Sequence, residues 1–227
     1  MGSLFRIGLL PHKNLVSRWY IRYSLGASAT TLLTTMSGVL GTQSMLYALG
    51  CGTEQCIPAS LSIQYVLKDS FGQCAGSLTA SRLSKKIDAN YLPFLMYAPI
   101  GNILAGYLEI STIVIPEWFL PITSVAVFGR NIAWIQTLSV KTKIYEQINK
   151  STGGNSISQL SAVGSAQMTL ASTLGIVLAA GMSLWIQNNI GWLLLSHSAI
   201  SGLVLVSSRF TMLQIPPLVR PKSSKIL

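Results

Sequence analysis

The chain has 227 residues, of which half are hydrophobic and only 10% charged. Soluble domains carry charge on about a quarter of their residues, and the mean hydropathy here is +0.51, so the composition excludes an ordinary soluble domain. The net charge of +10 does not indicate nucleic-acid binding, because the basic residues punctuate apolar runs and form no contiguous basic face.

Residues 1–23 form a basic arm containing Arg6, Lys13, Arg18 and Arg22, with no acidic residue before Glu54. The arm reads equally as an organelle presequence or as the inner flank of a first span. Arg6 stands where a myristoylation signal needs Ser or Thr.

From there the chain is expected to fold as an all-α, polytopic helical bundle over 24–208. Lys, Arg, Asp and Glu are absent from Tyr23 to Thr53, from Ala89 to Leu108 and from Ser151 to Ser208. A bilayer-crossing helix takes about 20 apolar residues. Six spans are predicted, near 24–49, 59–81, 90–110, 118–140, 163–185 and 192–208, followed by a basic tail over 209–227. A re-entrant or interfacial 59–81 segment is the five-span alternative. Charge placement favours six. With the N-terminus on the cytoplasmic side, or the equivalent matrix or stromal side, 14 of the 16 basic residues fall in the arm, the 82–89 and 141–162 loops and the tail, all on that side. This is the positive-inside bias. Aromatic residues agree: Trp118, Trp185 and Trp192 fall at outer ends, and Trp19, Tyr20, Tyr23 and Tyr91 at inner ends, where ring side chains prefer the headgroup level.

The remaining basic residues are Lys68 and Arg130, which fall near the middle of spans two and four, with Asp69 beside Lys68. Intramembrane charges cost about 2.5–3.5 kcal/mol on insertion scales and usually pair inside the bundle. Lys68 and Asp69 are adjacent in a helix and cannot face each other. The expectation is an Asp69–Arg130 pair, with Lys68 turned to polar groups or a cavity. In the same span, Gly72 and Gly76 make a G-x-x-x-G that lets helices approach closely, within the chain or between chains.

No catalytic constellation is visible. His12 and His197 lie far in sequence from any Cys, Asp or Glu that would complete a site, and no P-loop, paired carboxylates or metal-ligand spacing occurs. Cys51 and Cys56 share a short loop and read as a disulfide or as two inert thiols, while Cys74 sits in an apolar run. No enzyme activity, metal or cofactor is expected.

The stretch "ASLSIQYVLKDSFGQCAG" carries Val66, Leu67, Lys68, Asp69, Gly72 and Gly76, with Ala80 and then Asp88 in "SKKIDAN" following. Upstream stands "GVLGTQSMLYALGCG"; downstream "YLEISTIVIPEWFLP" brings Glu109 and Pro116, and "TKIYEQINK" brings Lys143. Over roughly 20–185 these resemble the root UVB sensitive (RUS) family, formerly a domain of unknown function. A later family signature is eroded to "SISQLSAVGSAQMT", which keeps Gln167 but loses both acids, so the resemblance is to a divergent or reduced member. It implies a membrane-associated protein without established catalysis, linked in plants to UV-B response, auxin transport and vitamin B6 homeostasis, and acting with other RUS-type proteins as homo- or hetero-oligomeric partners.

Two functions follow as expectations. One is a non-enzymatic membrane partner or scaffold of the RUS type. The other is a small-solute transporter or channel-like protein with a polar cavity at Lys68, Asp69 and Arg130. A cavity reaching the charges favours the second, and a dry, fully paired bundle the first.

Overall fold

A computed structural model describes residues 18–50, 58–151, 157–186 and 189–216. The Cys51–Cys56 pair, His12, most of the N-terminal arm and the basic end of the tail lie outside the described residues.

Among the described residues six α-helices follow one another: α1 (Arg18–Ala48), α2 (Pro58–Ala89), α3 (Phe94–Ser111), α4 (Phe119–Ser151), α5 (Ile157–Ile186) and α6 (Ile190–Leu213). A 3-10 turn, Pro116–Trp118, precedes α4. Each helix overlaps one of the six stretches read as helical from the sequence. Their ends have local causes. Gly50, at φ 78°, takes the left-handed conformation that closes α1. Pro116 opens the 3-10 turn, where its missing N–H is not needed. The Asn189 side chain accepts the Trp192 N–H at 3.1 Å and caps α6. Threonines in α1 turn their hydroxyls back onto their own helix, as Thr30 does to the Gly26 carbonyl and Thr31 to that of Ala27, both at 2.9 Å. A hydroxyl satisfied in this way can sit among apolar neighbours without leaving a donor unpaired.

α4 lies between α2 and α3, while α1 packs on α5, α6 and α3, and α3 also touches α6. α4 and α5 meet only lightly, which leaves a gap between these two halves. Two apolar clusters hold the bundle. One gathers Tyr20, Tyr23, Ile87, Tyr91, Ile144, Tyr145 and Leu160, from the ends predicted to be inner. The other gathers Leu40, Ile103, Ile110, Ile186, Leu193 and Val204.

The surface is apolar and the interior partly polar. Leu178, Leu184 and Val206 are exposed, whereas Glu109, Thr123, His197 and Ser201 are buried.

Two sequence expectations change. The 82–89 segment and residues 141–151 are helix, not loop, forming the last turns of α2 and α4. Lys143 and Lys150 pair with Glu146 at helical spacing along that extension, and such pairs support a helix that continues past its apolar part. Tyr20, Tyr23 and Tyr91 are buried at 1%, 5% and 3% exposure and build a core, not an inner belt; Trp118, Trp185 and Trp192 are exposed at the opposite end. Among the described residues, three helical stretches, Pro116–Lys150, Ile157–Ile186 and Ile190–Leu213, are long and apolar enough to cross a membrane. α1 to α3 carry too many hydroxyl, glycine or charged positions to meet that measure. α2 is one unbroken helix of 32 residues, without the reversal that a re-entrant segment requires.

Candidate functional site

Arg130, on α4, grips Glu109, on the last turn of α3. Its Nε donates to Oε1 at 2.8 Å and its Nη2 to Oε2. This two-point geometry is the strong form of a guanidinium–carboxylate contact. Glu109 is 2% exposed and the Arg130 side chain 23%, so the carboxylate is sealed and the guanidinium keeps one side open. The third wall is α1. A Cβ at Gly41 would lie 2.9 Å from Arg130 Nη2 and 3.1 Å from Glu109 Cδ, and one at Gly38 would lie 3.0 Å from Arg130 Nη1. Two glycines three residues apart thus form the notch that admits the ion pair.

Arg130 therefore pairs with Glu109 in place of the expected Asp69. Both α2 and α3 pack extensively on α4, α2 through Gly72 and Gly76 and α3 through Gly101 against Ala133, and it is the Glu109 carboxylate of α3 that meets the guanidinium. Asp69 borders the same cleft as the ion pair. Lys68 is the preceding residue of α2, and its side chain lies outside the described ones.

The cleft has a volume of about 810 Å³ and occupies the gap between α1, α4 and α5. One wall is a ladder of hydroxyls, Thr31, Thr34, Thr35 and Thr42 of α1 facing Thr169, Ser172 and Thr173 of α5, with Thr35 and Ser172 bonded across it at 3.2 Å. The other wall carries Asn102, Asn131, Trp134 and the charged groups. The cleft can therefore offer donors and acceptors to a small polar molecule, one guanidinium edge, and an indole face for stacking. Among the described residues no three His, Cys, Asp or Glu side chains converge as a metal site.

The other motif residues are also drawn into contacts. Asp88, at the end of α2, bonds Lys143 of α4 at 3.0 Å. Gln167 accepts a 2.6 Å hydrogen bond from Ser24 of α1. Gly72 and Gly76 face α4: a Cβ on the first would lie 2.8 Å from Val127 Cβ, and on the second 3.0 Å from Asn131 Cβ. The G-x-x-x-G is thus used for packing within the chain. Leu67 stays largely exposed, and Pro116 starts the 3-10 turn. His197 is fully buried on α6, its Nδ1 3.3 Å from Ser37 Oγ and its ring edge-on to Tyr107 at 4.6 Å. It packs over Gly106, where a Cβ would come within 2.8 Å of Nε2. Sequence reasoning missed Glu109 as an ion-pair partner, although it is the lone carboxylate of α3. Four hydroxyls of α1, those of Thr31, Thr34, Thr35 and Thr42, also line the cleft, and no local sequence signal marks them for it.

Comparison with known proteins agrees with the family resemblance. The model of the vitamin B6 photo-protection and homoeostasis domain matches residues 3–226, extending well beyond the 20–185 region of resemblance. The chain is 25% identical to Protein root UVB sensitive 6 of Arabidopsis thaliana over 177 residues, covering 77% of this chain and 35% of that protein. It is 24% identical to RUS family member 1 of Dictyostelium discoideum over 171 residues (75% and 32%). It is 28% identical to Protein root UVB sensitive 2, chloroplastic, of Arabidopsis thaliana over 170 residues (74% and 37%). The chain spans about a third of the length of these relatives. No solved structure matches it. A family match across nearly the whole chain identifies this protein as a member of the RUS, or vitamin B6 photo-protection and homoeostasis, family.

Proposed function

We propose that this chain is a polytopic membrane protein whose six helices cross an organelle or cellular bilayer, and that it binds a small polar solute in the cleft beside Arg130. On this reading it contributes to the vitamin B6-linked homeostasis for which the family is named by binding or passing a solute, without catalysing a reaction. The carrying observation is the cleft of about 810 Å³ that borders both Asp69 and the Glu109–Arg130 pair. A dry bundle with every charge sealed would have favoured a pure scaffold. The exposed leucines and valines of α5 and α6 around a partly polar interior support hydrocarbon as the surrounding solvent, since soluble monomers rarely expose continuous apolar faces of this kind. The termini are assigned to the cytoplasmic or equivalent side on the charge bias.

The test is thermal unfolding of the detergent-purified chain with pyridoxine, pyridoxal or pyridoxal 5′-phosphate added. A saturable stabilisation that Arg130→Gln weakens is expected. No stabilisation by any of the three removes vitamin B6 compounds as the solute.

The partner or scaffold reading has its own support in α2, which contacts α4 substantially while Ile63, Val66 and Leu78 are exposed. A RUS-type protein, or a second copy of this chain, fits there. Stoichiometric co-purification of such a partner, lost when Val66 and Leu78 (64% and 79% exposed) are changed to Ser, would establish that reading.

A further inference from the structure

Lys141 stands apart from the other lysines on α4. Lys143 and Lys150 each hold a carboxylate, whereas Lys141 has no carboxylate partner among the described residues. Its Nζ lies 2.8 Å from Met168 Sδ and 5.6 Å from the centre of the Tyr145 ring, and its Cε closes over Gly164. It lines a recess of about 90 Å³ whose walls include Tyr20, Tyr23, Tyr145 and Phe94, with Ser24 and Gln167 as polar contacts. The recess shares Thr31, Thr34, Asn102, Thr137 and Met168 with the large cleft, so a small molecule in the cleft has a short route to the amine.

A lysine amine crowded by aromatic and thioether groups, without a countercharge, is the arrangement that proteins use to make an amine nucleophilic toward carbonyl carbon. The Tyr145 ring is the neighbour that would favour the ammonium form, and it sits near the outer limit of a useful cation–π distance.

We infer that Lys141 forms a reversible imine with a small aromatic aldehyde that enters the recess from the cleft. The neutral Nζ adds to the carbonyl carbon, the carbonyl oxygen takes up protons and leaves as water, and the nitrogen gives up its own hydrogens. R–CHO and Lys–NH2 thus become R–CH=N–Lys and H2O, with no redox partner. The ring would lie against the tyrosines, and a ring hydroxyl would reach Ser24 or Gln167. This rests on the recess and the amine, not on what the cleft binds elsewhere.

The full chain in detergent is incubated with pyridoxal at less than one equivalent, reduced with borohydride, digested, and each lysine peptide is quantified by mass spectrometry. Pyridoxine, which lacks the aldehyde, is the control. The expected result is modification of Lys141 about tenfold above Lys85, Lys86 and Lys150, as an activated amine would show. Lys141→Arg should abolish that adduct while leaving the unfolding temperature and any Arg130-dependent stabilisation by pyridoxine unchanged. Labelling of Lys141 no greater than that of the exposed lysines overturns the inference, as does equal retention of aldehyde by Lys141→Arg. Stabilisation by pyridoxine without imine formation would overturn this inference alone and leave the cleft reading standing.

Discussion

Arg130 on α4 and Glu109 on α3 form a two-point ion pair that rests in a notch cut by Gly38 and Gly41 of α1. Three helices therefore meet at one pair of charges. Removing one partner of a buried pair leaves the other uncompensated, which costs about 3–5 kcal/mol. Glu109→Gln should accordingly lower stability by that order, measured by thermal or denaturant unfolding in mild detergent. Glu109→Gln with Arg130→Gln together should be less damaging than the sum of the two. Strict additivity would mean that the pair carries no coupling energy.

How much of this was legible beforehand differs by level. Helices α1, α3, α5 and α6 follow from the charge-free runs, and α2 and α4 from the placement of basic residues at their flanks, since each signal is read along the chain itself. The partner of Arg130 was not legible. Depth along a span suggests which side chains share a level, but the choice between Asp69 and Glu109 depends on which carboxylate faces the guanidinium across α4, and tertiary packing alone decides it. The same applies to the tyrosines. Tyr20, Tyr23 and Tyr91 stand at helix ends, where a lipid belt or an inter-helix core is equally consistent with their spacing. The hydroxyls of α1 are ambiguous for a further reason: a threonine satisfied by its own helix looks the same in sequence whether it faces a neighbouring helix or a cleft.

Gly72 and Gly76 differ in what lies across from them. A Cβ at Gly72 would press on the branched carbons of Val127, 2.8 Å from its Cβ, and lie 3.1 Å from the Phe128 backbone nitrogen, so relief would require the helices to separate. At Gly76 the nearest atom is Asn131 Cβ at 3.0 Å, with the next beyond 3.8 Å. Overpacking costs about 1–3 kcal/mol. Gly72→Ala is expected near the upper end and Gly76→Ala near or below the lower end, read from unfolding of the two variants side by side. Equal losses would show that the α2–α4 interface shifts as a rigid unit and not at a single contact.

Asp88 and Lys143 provide the opposite case to Glu109 and Arg130. They bridge α2 and α4 at 3.0 Å, but with 59% and 32% of their side chains exposed. Exposed pairs are worth about 0–1 kcal/mol and are screened by salt. Asp88→Asn should thus cost less than about 1 kcal/mol, with the difference fading as ionic strength rises, in contrast to Glu109→Gln. A large, salt-insensitive loss at Asp88 would point to a role for this motif position outside the pair.

The bilayer reading and the cleft can be separated from ordinary exposure by one pair of cysteines. Thr173 on α5 and Val206 on α6 are both exposed on the protein surface, so a water-soluble maleimide would reach both if water surrounded the bundle. Thr173 borders the cleft, whereas Val206 sits on a helix long and apolar enough to face hydrocarbon. In a background with Cys51, Cys56 and Cys74 changed to Ala, Thr173→Cys in sealed vesicles should react and Val206→Cys should not. Detergent solubilisation followed by denaturation should then equalise them. Equal labelling in intact vesicles would remove lipid from around α6, and labelling of neither would mean that the cleft is closed to water. Each outcome bears on a different helix face, so the bilayer and the cleft stand or fall separately.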